Sequence, residues 1–423
     1  MIKNRLELAS NSLREAALQI IEAGLHAIDP EVALQSKVSM KGGVLLIGKE
    51  KFDMSKYRKV FVVGIGKASF LTAKFLERML GDRISDGVVI DVIEGRLNHI
   101  RSYKGTHPLP TEVNIRATNE VIKLLSSAGK RDLVIAIISG GGSSLLCQPN
   151  KMTCISLQQV TEILFKNGAD IKDMNTLRKH ISKIHGGNLA KIAYPATVAS
   201  LIFSDVPFND LSFVASGPTY PDKTTKADAE KIVKKYDLPK IPLIDTPKDQ
   251  KYFDKVSNTL VLSNKVALKA MKKRAEELGF PSRTCVSCLK GEARLVGARL
   301  ISKLKGKKAA LIAGGETIVF VKKKGKGGRN LEVVLGALSH IRKGEVIISI
   351  ASDGKDHIKE AAGAIGDMEL RAAMEAKGYD PEIFLNDNRS FDFFVDLKGV
   401  IVMEPTGSNV SDLVLILRDG TDG

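Results

Sequence analysis

The sequence predicts an α/β protein of two α/β domains, a larger N-terminal one built on a Rossmann-like parallel sheet and a smaller C-terminal one. Three observations carry this. Short β-rich runs alternate with helical patterns over most of the length. The chain has 423 residues, more than one ordinary domain at roughly 150 residues each. One stretch, 237–254, gathers Pro239, Pro242 and Pro247 among Lys and Asp without any sustained period and reads as a linker. A boundary there gives domains at 1–240 and 241–423.

The elements follow in order. Near the N-terminus Leu6, Leu13, Ala17, Ile20, Ile21, Leu25 and Ile28 recur at helical spacing, with Arg5, Glu7, Arg14, Glu15 and Glu22 between them. A secretory leader would have an unbroken apolar centre, so this is an amphipathic helix packed on a domain. Apolar runs at 60–63, 87–93, 133–138, 196–203, 259–262, 309–313, 346–351 and 413–417 read as strands of largely parallel sheets. The last could return to either domain. A helix over 156–167 starts on a Ser and stops before Gly168, and one over 368–377 stops before Gly378. Residues 282–288 alternate as a strand.

Composition narrows the function. Lys plus Arg number 64 against 48 Asp plus Glu, a net charge of +16, so anionic partners are expected. Aromatic residues make up only 5% and Trp is absent, which argues against stacking on bases. The Lys and Arg are spread along helical stretches such as 231–235 and 269–274, the pattern of a solvated face. A nucleic-acid binder is therefore the weaker alternative, and no nucleic-acid partner is expected. No apolar run approaches the ~18 residues of a membrane span. The expectation is a cytoplasmic protein with no membrane partner; its oligomeric state is not legible. Cys147, Cys154, Cys285 and Cys288 are too few for a disulfide framework. Cys285 and Cys288 formally match half a zinc site or a redox pair, but they sit in the alternating strand and read as structural. His180 and His185, five apart, fall on different helix faces, which disfavours a shared metal.

The chemistry gathers where strands end. Five apolar runs finish in small or acidic residues: Gly64-Ile-Gly66-Lys67-Ala-Ser69, Ser139-Gly140-Gly141-Gly142-Ser143-Ser144, Ser204-Asp205, Gly314-Gly315-Glu316 and Ser352-Asp353-Gly354. Ligands of open α/β sheets bind beyond the carboxyl ends of strands. Three glycines between Ser residues suit an N–H nest for phosphate. A second glycine loop, 325–330, contains Gly327, Gly328, Arg329 and Asn330 and leads into a helix; its forked cation suits carboxylate or phosphate, with Lys322, Lys323, Lys324 and Lys326 adding positive potential. Residues 64–69 also resemble a dinucleotide fingerprint, with Asp91 and Glu94 near where a ribose-binding acid would lie. This supports a rival reading, an NAD(P)H-dependent reductase. Asp205 and Asp353 could hold Mg²⁺, accept a proton from an attacking hydroxyl, or simply tie a turn.

The order of motifs resembles the class II glycerate 2-kinases, whose C-terminal part is called MOFRL. The likeness rests on Val63-Gly-Ile-Gly-Lys-Ala-Ser69, Thr106-His-Pro-Leu-Pro110, Ser139-Gly-Gly-Gly-Ser-Ser-Leu-Leu146, Asn175-Thr-Leu-Arg-Lys-His180 with Gly186-Gly187, and Ser204-Asp205. It continues through Ala215-Ser-Gly-Pro-Thr219, Ala313-Gly-Gly-Glu316, Gly327-Gly-Arg-Asn330, Ser352-Asp-Gly354, Pro405-Thr-Gly407, Asn409-Val410 and Asp412. The resemblance implies ATP- and Mg²⁺-dependent phosphorylation of the 2-hydroxyl of D-glycerate, in a cleft between two domains. Its motif cations fall on Lys67 and Arg329. Leu331, His185, His357 and Glu404 depart from the usual pattern. Some relatives carry the name hydroxypyruvate reductase, which echoes the rival reading. On this basis residues 139–144 are assigned to the nucleotide phosphates, with Gly327, Gly328 and Asn330 as further contacts. Lys67 is assigned to the transferring phosphoryl group or the glycerate carboxylate, and Arg329 to the complementary task. Asp205 and Asp353 share the metal and base roles, and Glu316 is a supporting or ribose-contacting acid.

Overall fold

The computed structural model describes residues 1–204, 206 and 210–420, the side chains of 286–288 excepted. The chain divides into two compact units, Ala33–Val261 on the one hand and Met1–Val32 with Leu262 onward on the other.

The first unit opens with an antiparallel meander, β1 (Val38–Lys41), β2 (Val44–Ile47) and β3 (Glu50–Asp53). Then come β4 (Lys59–Ile65), β5 (Asp86–Asp91), β6 (Arg101–Lys104), β7 (Asp132–Ser139), β8 (Thr197–Phe203) and β9 (Val256–Leu262), in the sheet order β6-β5-β4-β7-β8-β9. The pairings β4 with β5, β4 with β7, β5 with β6 and β7 with β8 are parallel. All eight residues of β7 are buried, as in a strand covered on both faces. The order reverses between β4 and β7, the place where a doubly wound sheet opens a crevice.

Residues 237–254 lie inside this unit and are held to it. Ile244 N–H donates to the His180 carbonyl at 2.8 Å, and the Asn150 amide donates to the Pro242 carbonyl at 3.1 Å. The anchor is buried Asp222, which takes Lys179 at 3.3 Å, the Thr224 hydroxyl and the Thr246 hydroxyl at 3.1 Å. Burial alone would raise the Asp222 carboxyl, but Lys179 and the Thr224 donors hold it below the ordinary range.

The second unit carries β10 (Ser282–Leu289), β11 (Lys308–Gly315), β12 (Glu345–Ala351), β13 (Gly363–Asp367), β14 (Val400–Ile401) and β15 (Asp412–Asp419), in the order β10-β11-β15-β12-β13-β14. Only β10 with β11 is parallel among these pairs; the others are antiparallel. The largely parallel pattern expected for the sheets therefore holds in the first unit and not here. The reason lies in the connections: residues 352–362 between β12 and β13 contain no helix to carry a parallel crossover. The last strand, β15, lies in the middle of this sheet. Cys285 sits on β10, packs against the core and is disulfide-bonded.

The N-terminal helix Ser12–Ala27 belongs to this second unit. Its apolar stripe packs on the helix Asn264–Glu277 and on β12 and β15. Gly24 allows the close crossing, since a Cβ there would come within 2.6 Å of Met271 Cγ. Arg14 is buried and donates twice to Asp367, each at 2.6 Å.

Candidate active site

In the first unit two glycine turns meet where the strand order reverses. After β4 the chain turns at Gly66, whose φ is +112°. A Cβ there would lie 2.2 Å from Ser139 Oγ, so only glycine fits. The Lys67 N–H donates to the Gly140 carbonyl at 3.0 Å, and the Ala68 N–H donates to Ser139 Oγ at 3.0 Å. Ser139 Oγ in turn donates to the Ile65 carbonyl at 3.3 Å. Ser139 is buried and its hydroxyl is spent on joining the turns; Gly140 joins them through its carbonyl. The remaining members of the turn face differently. The N–H groups of Gly141, Gly142 and Ser143 donate to no backbone acceptor among the described residues. Lys67 lies across them: a Cβ on Gly141, at φ +80°, would sit 3.2 Å from Lys67 Cε and 3.2 Å from His107 Cδ2. No carboxylate pairs with the Lys67 ammonium among the described residues. His107 titrates below the ordinary imidazole range, through partial burial first and the Lys67 charge second.

Neighbouring groups hold this turn in place. Ser143 Oγ shares a 2.9 Å hydrogen bond with Ser216 Oγ, which donates to Asn175 Oδ1 at 2.7 Å. Buried Asn114 accepts from the Thr106 N–H at 3.0 Å and donates to the Ser144 carbonyl at 3.0 Å. All of these residues except Asn114 stand in the sequence motifs, yet their roles were not legible there, because each acts through a partner on another loop or element.

Asp91 answers the rival reading. It is wholly buried at the end of β5. One oxygen accepts from the Phe70 N–H at 3.0 Å and the other from the Val92 N–H at 2.6 Å. Burial raises its carboxyl, and these backbone donors oppose that. Asp91 holds the start of the helix Ser69–Leu80, and both its oxygens are engaged by backbone N–H groups.

The second unit has its own polar centre at the start of the helix Arg329–Leu338. Arg329 grips Asp412 with two nitrogens, Nε at 2.6 Å and Nη2 at 3.0 Å, and pairs with Glu316 through Nη1. Burial pushes the Asp412 carboxyl up, to about 7, against the pull of Arg329. Asp356 already occupies the helix start. It accepts from the Asn330 N–H at 3.1 Å and the Leu331 N–H at 2.9 Å, and from the Asn330 amide at 3.1 Å. Asn330 Oδ1 takes the Ser349 hydroxyl at 2.6 Å. Asn330 is thus buried and engaged on both sides, and these donors are not free for phosphate as the sequence suggested. The glycines of this loop serve close packing: a Cβ on Gly327 would meet Ser390 Oγ at 2.5 Å and one on Gly328 would meet the Asp356 carboxylate at 2.3 Å. Neither has a positive φ. Lys322 reaches Asn386, Lys323 pairs with Asp387 at 2.6 Å, and Lys326 approaches Glu360 at 3.5 Å. Asp412 and Asp356 received no role from the sequence.

Asp353 follows β12 and ties a short turn, its Oδ1 accepting from the Lys355 N–H at 3.1 Å. Its second oxygen has no protein partner among the described residues. Such an oxygen suits a hard cation. Among the described residues no three His, Cys, Asp or Glu side chains gather around one metal position. Mg²⁺ held by one or two carboxylates and by nucleotide phosphates needs no such cluster. Asp205, the other expected metal or base residue, lies outside the described residues. No helix among the described residues is long and apolar enough to cross a membrane.

Comparison with known proteins places these features. Residues 16–243 match a family described as a domain of unknown function, DUF4147, and residues 309–412 match the MOFRL family. A D-glycerate 2-kinase of Thermotoga maritima is 33% identical over 96% of this chain and 98% of its own. A protein of Agrobacterium vitis, provisionally named a hydroxypyruvate reductase, is 34% identical over 96% of this chain and 94% of its own. The crystal structure of a glycerate kinase from Thermotoga maritima superimposes with a TM-score of 0.86, covering 96% of this chain and 99% of that one. The chain belongs to the class II glycerate kinase family, in which a DUF4147 region precedes a MOFRL region.

Proposed function

We propose that this protein is an ATP-dependent kinase that phosphorylates the 2-hydroxyl of D-glycerate, giving 2-phosphoglycerate and ADP in the cytoplasm. The observation that carries this reading is the Lys67 ammonium, without a carboxylate partner among the described residues, lying over the open N–H turn at Gly141 at the reversal point of the sheet. Phosphoryl transfer asks the protein chiefly for positioning and for neutralising charge. Gly141, Gly142, Ser143 and Ser144 supply N–H and hydroxyl donors to nucleotide phosphates, and Lys67 draws charge from the phosphoryl group in transit. Ser139 and Gly140 keep the two turns in register.

Arg329 retains N–H groups beyond those given to Asp412 and Glu316, and these hold the acid's carboxylate or a phosphate oxygen. Asp412 and Glu316 fix the direction of the guanidinium. Asp353, with Asp205, holds Mg²⁺ or receives the proton of the 2-hydroxyl. Mg²⁺ bound there would neutralise charge on the phosphate oxygens.

A hydroxypyruvate reductase is the second reading, favoured by the name of one relative. The buried, doubly engaged Asp91 is not free for a ribose, which leaves only the exposed Glu94 of the two acids that reading needs.

The test supplies ATP, Mg²⁺ and D-glycerate and couples the product to enolase. A signal without phosphoglycerate mutase is expected; a signal that appears only after mutase is added means 3-phosphorylation and defeats the assignment. Oxidation of NADH or NADPH by hydroxypyruvate without ATP would support the reductase instead. Lys67→Ala should lower kcat/KM at least ~100-fold, about 2.7 kcal/mol of transition-state stabilisation. Near-wild-type kinetics would remove Lys67 from the chemistry.

A further inference from the structure

Beneath the turn at Gly141 the first unit encloses a cavity of about 270 Å³. Gly141, Ser143 and Ser144 form its rim, so it continues directly from the turn assigned to phosphates. Its walls are mostly apolar, from Leu109, Leu146, Leu157, Met174 and Ile181 among others. A three-carbon acid, polar on nearly every atom, would bury its hydroxyls against these walls without partners, at a cost. A flat aromatic ring would not.

Among the polar groups on the lining, three carry atoms that are unpaired among the described residues. Arg178, half-buried on the helix Ile171–Ile181, has no hydrogen-bond or ion-pair partner among the described residues. Gln148 Oε1 is buried without a donor. His185 is 2% exposed; its Nδ1 meets Ser182 Oγ at 2.8 Å while Nε2 has no hydrogen bond. Leaving such a group buried and unpaired destabilises the empty cavity. A ligand that pairs with Arg178 and Gln148 recovers that. An amide side chain matches the donor-acceptor edge of adenine, and a guanidinium stacks on a π face or reaches a phosphate oxygen.

We infer that this cavity receives the adenine and ribose of the nucleotide, with Gln148 at the base edge and Arg178 against the ring or its nearest phosphate. The inference rests on the reading of the 141–144 turn as a phosphate site. It makes Gln148 and Arg178 nucleotide-binding residues and assigns Thr161, on the cavity wall, to the limit of its depth.

The experiment uses the full chain and two variants, Arg178→Met and Thr161→Phe. The second fills the cavity from a half-buried position and keeps the test open if the first fails to fold. Calorimetric titration with ATP, and separately with adenosine, is run without D-glycerate; steady-state KM is then measured for both substrates. The expected result is ATP and adenosine binding by the wild type, at least tenfold weaker in both variants, with the KM for D-glycerate changing less than twofold. A rise in the KM for D-glycerate with ATP binding unchanged would overturn the inference and leave the kinase reading intact. ATP binding that depends on the cavity, in a protein that phosphorylates no D-glycerate, would support the inference while the kinase reading fails. Absence of ATP binding by the wild type would sink both.

Discussion

His185 has to stay neutral for the fold to close around it. Burial, and then the charge of Arg178, pull its imidazole down from 6.5 to about 3. Between those two values the unfolded chain takes up a proton that the folded chain refuses. Stability from this group is therefore full above pH 6.5 and is lost as the pH falls toward 3. By pH 5 the loss is about 2 kcal/mol. His185→Gln should flatten the fall in stability between pH 7 and pH 5, as read by urea unfolding at both values. A parallel fall in variant and wild type would show that another group governs the acid limb. Single residues also show what sequence reading can reach. Lys67 was legible because glycines flank it in the chain. Arg178 was not, since its interest lies in having no carboxylate partner among the described residues, a fact of three dimensions. Asp91 was misleading for the same reason: its spacing from the glycines suits a ribose, while both its oxygens are engaged by backbone N–H groups.

At the scale of elements, helix Ser12–Ala27 depends on one buried ion pair. Arg14 and Asp367 are both more than nine-tenths buried and meet through two bonds. Arg14→Met leaves the buried Asp367 charged without its cationic partner and should cost about 3 kcal/mol in denaturant unfolding. Asp367 also caps the helix Met368–Ala376 through the Leu370 N–H at 3.0 Å. Asp367→Asn keeps an acceptor for that cap while removing the charge, so adding it to Arg14→Met should restore at least about 1 kcal/mol. Failure of the second change to restore anything would mean that lost packing, not a stranded charge, explains the first. The parallel strands were readable as continuous apolar runs. The short ones were not: β13 has the sequence Gly-Ala-Ile-Gly-Asp, and Gly363 is there because a Cβ would fall 1.9 Å from the Ser349 carbonyl. The 325–328 glycines carry a packing role that the sequence did not show: a Cβ on Gly325, Gly327 or Gly328 would meet residues 388–390 or Asp356.

At the scale of the whole molecule, the units are not contiguous in sequence. Residues 1–32 belong with residues from 262 onward. Removing 1–32 should speed amide exchange at least tenfold in β12 and β15, on which the helix packs, and leave β7 within twofold. Equal exchange in both sheets, faster or unchanged, would contradict that assignment. The periodicity of the N-terminal helix was legible; its destination was not, because an apolar stripe states that it needs a partner and not which one. The +16 charge is likewise only partly informative. Much of it is answered locally, as Lys323 is by Asp387 and Arg101 by Glu120, while Lys67 and Arg178 have no carboxylate partner among the described residues.

That discontinuity also sets an order of events during synthesis. The first helix leaves the ribosome long before the strand it covers, since Ala27 and Asp412 are separated by nearly the whole chain. At about 5–20 residues per second the wait is roughly 20–80 s. The unit Ala33–Val261 can close in that interval from its own contacts. The nascent N-terminus, with Leu18, Ile20, Ile21 and Leu25 uncovered, has no native surface to dock on until the helix Asn264–Glu277 has been made, and its cover is complete only with β15. A chaperone that binds short apolar helices would find its longest window there.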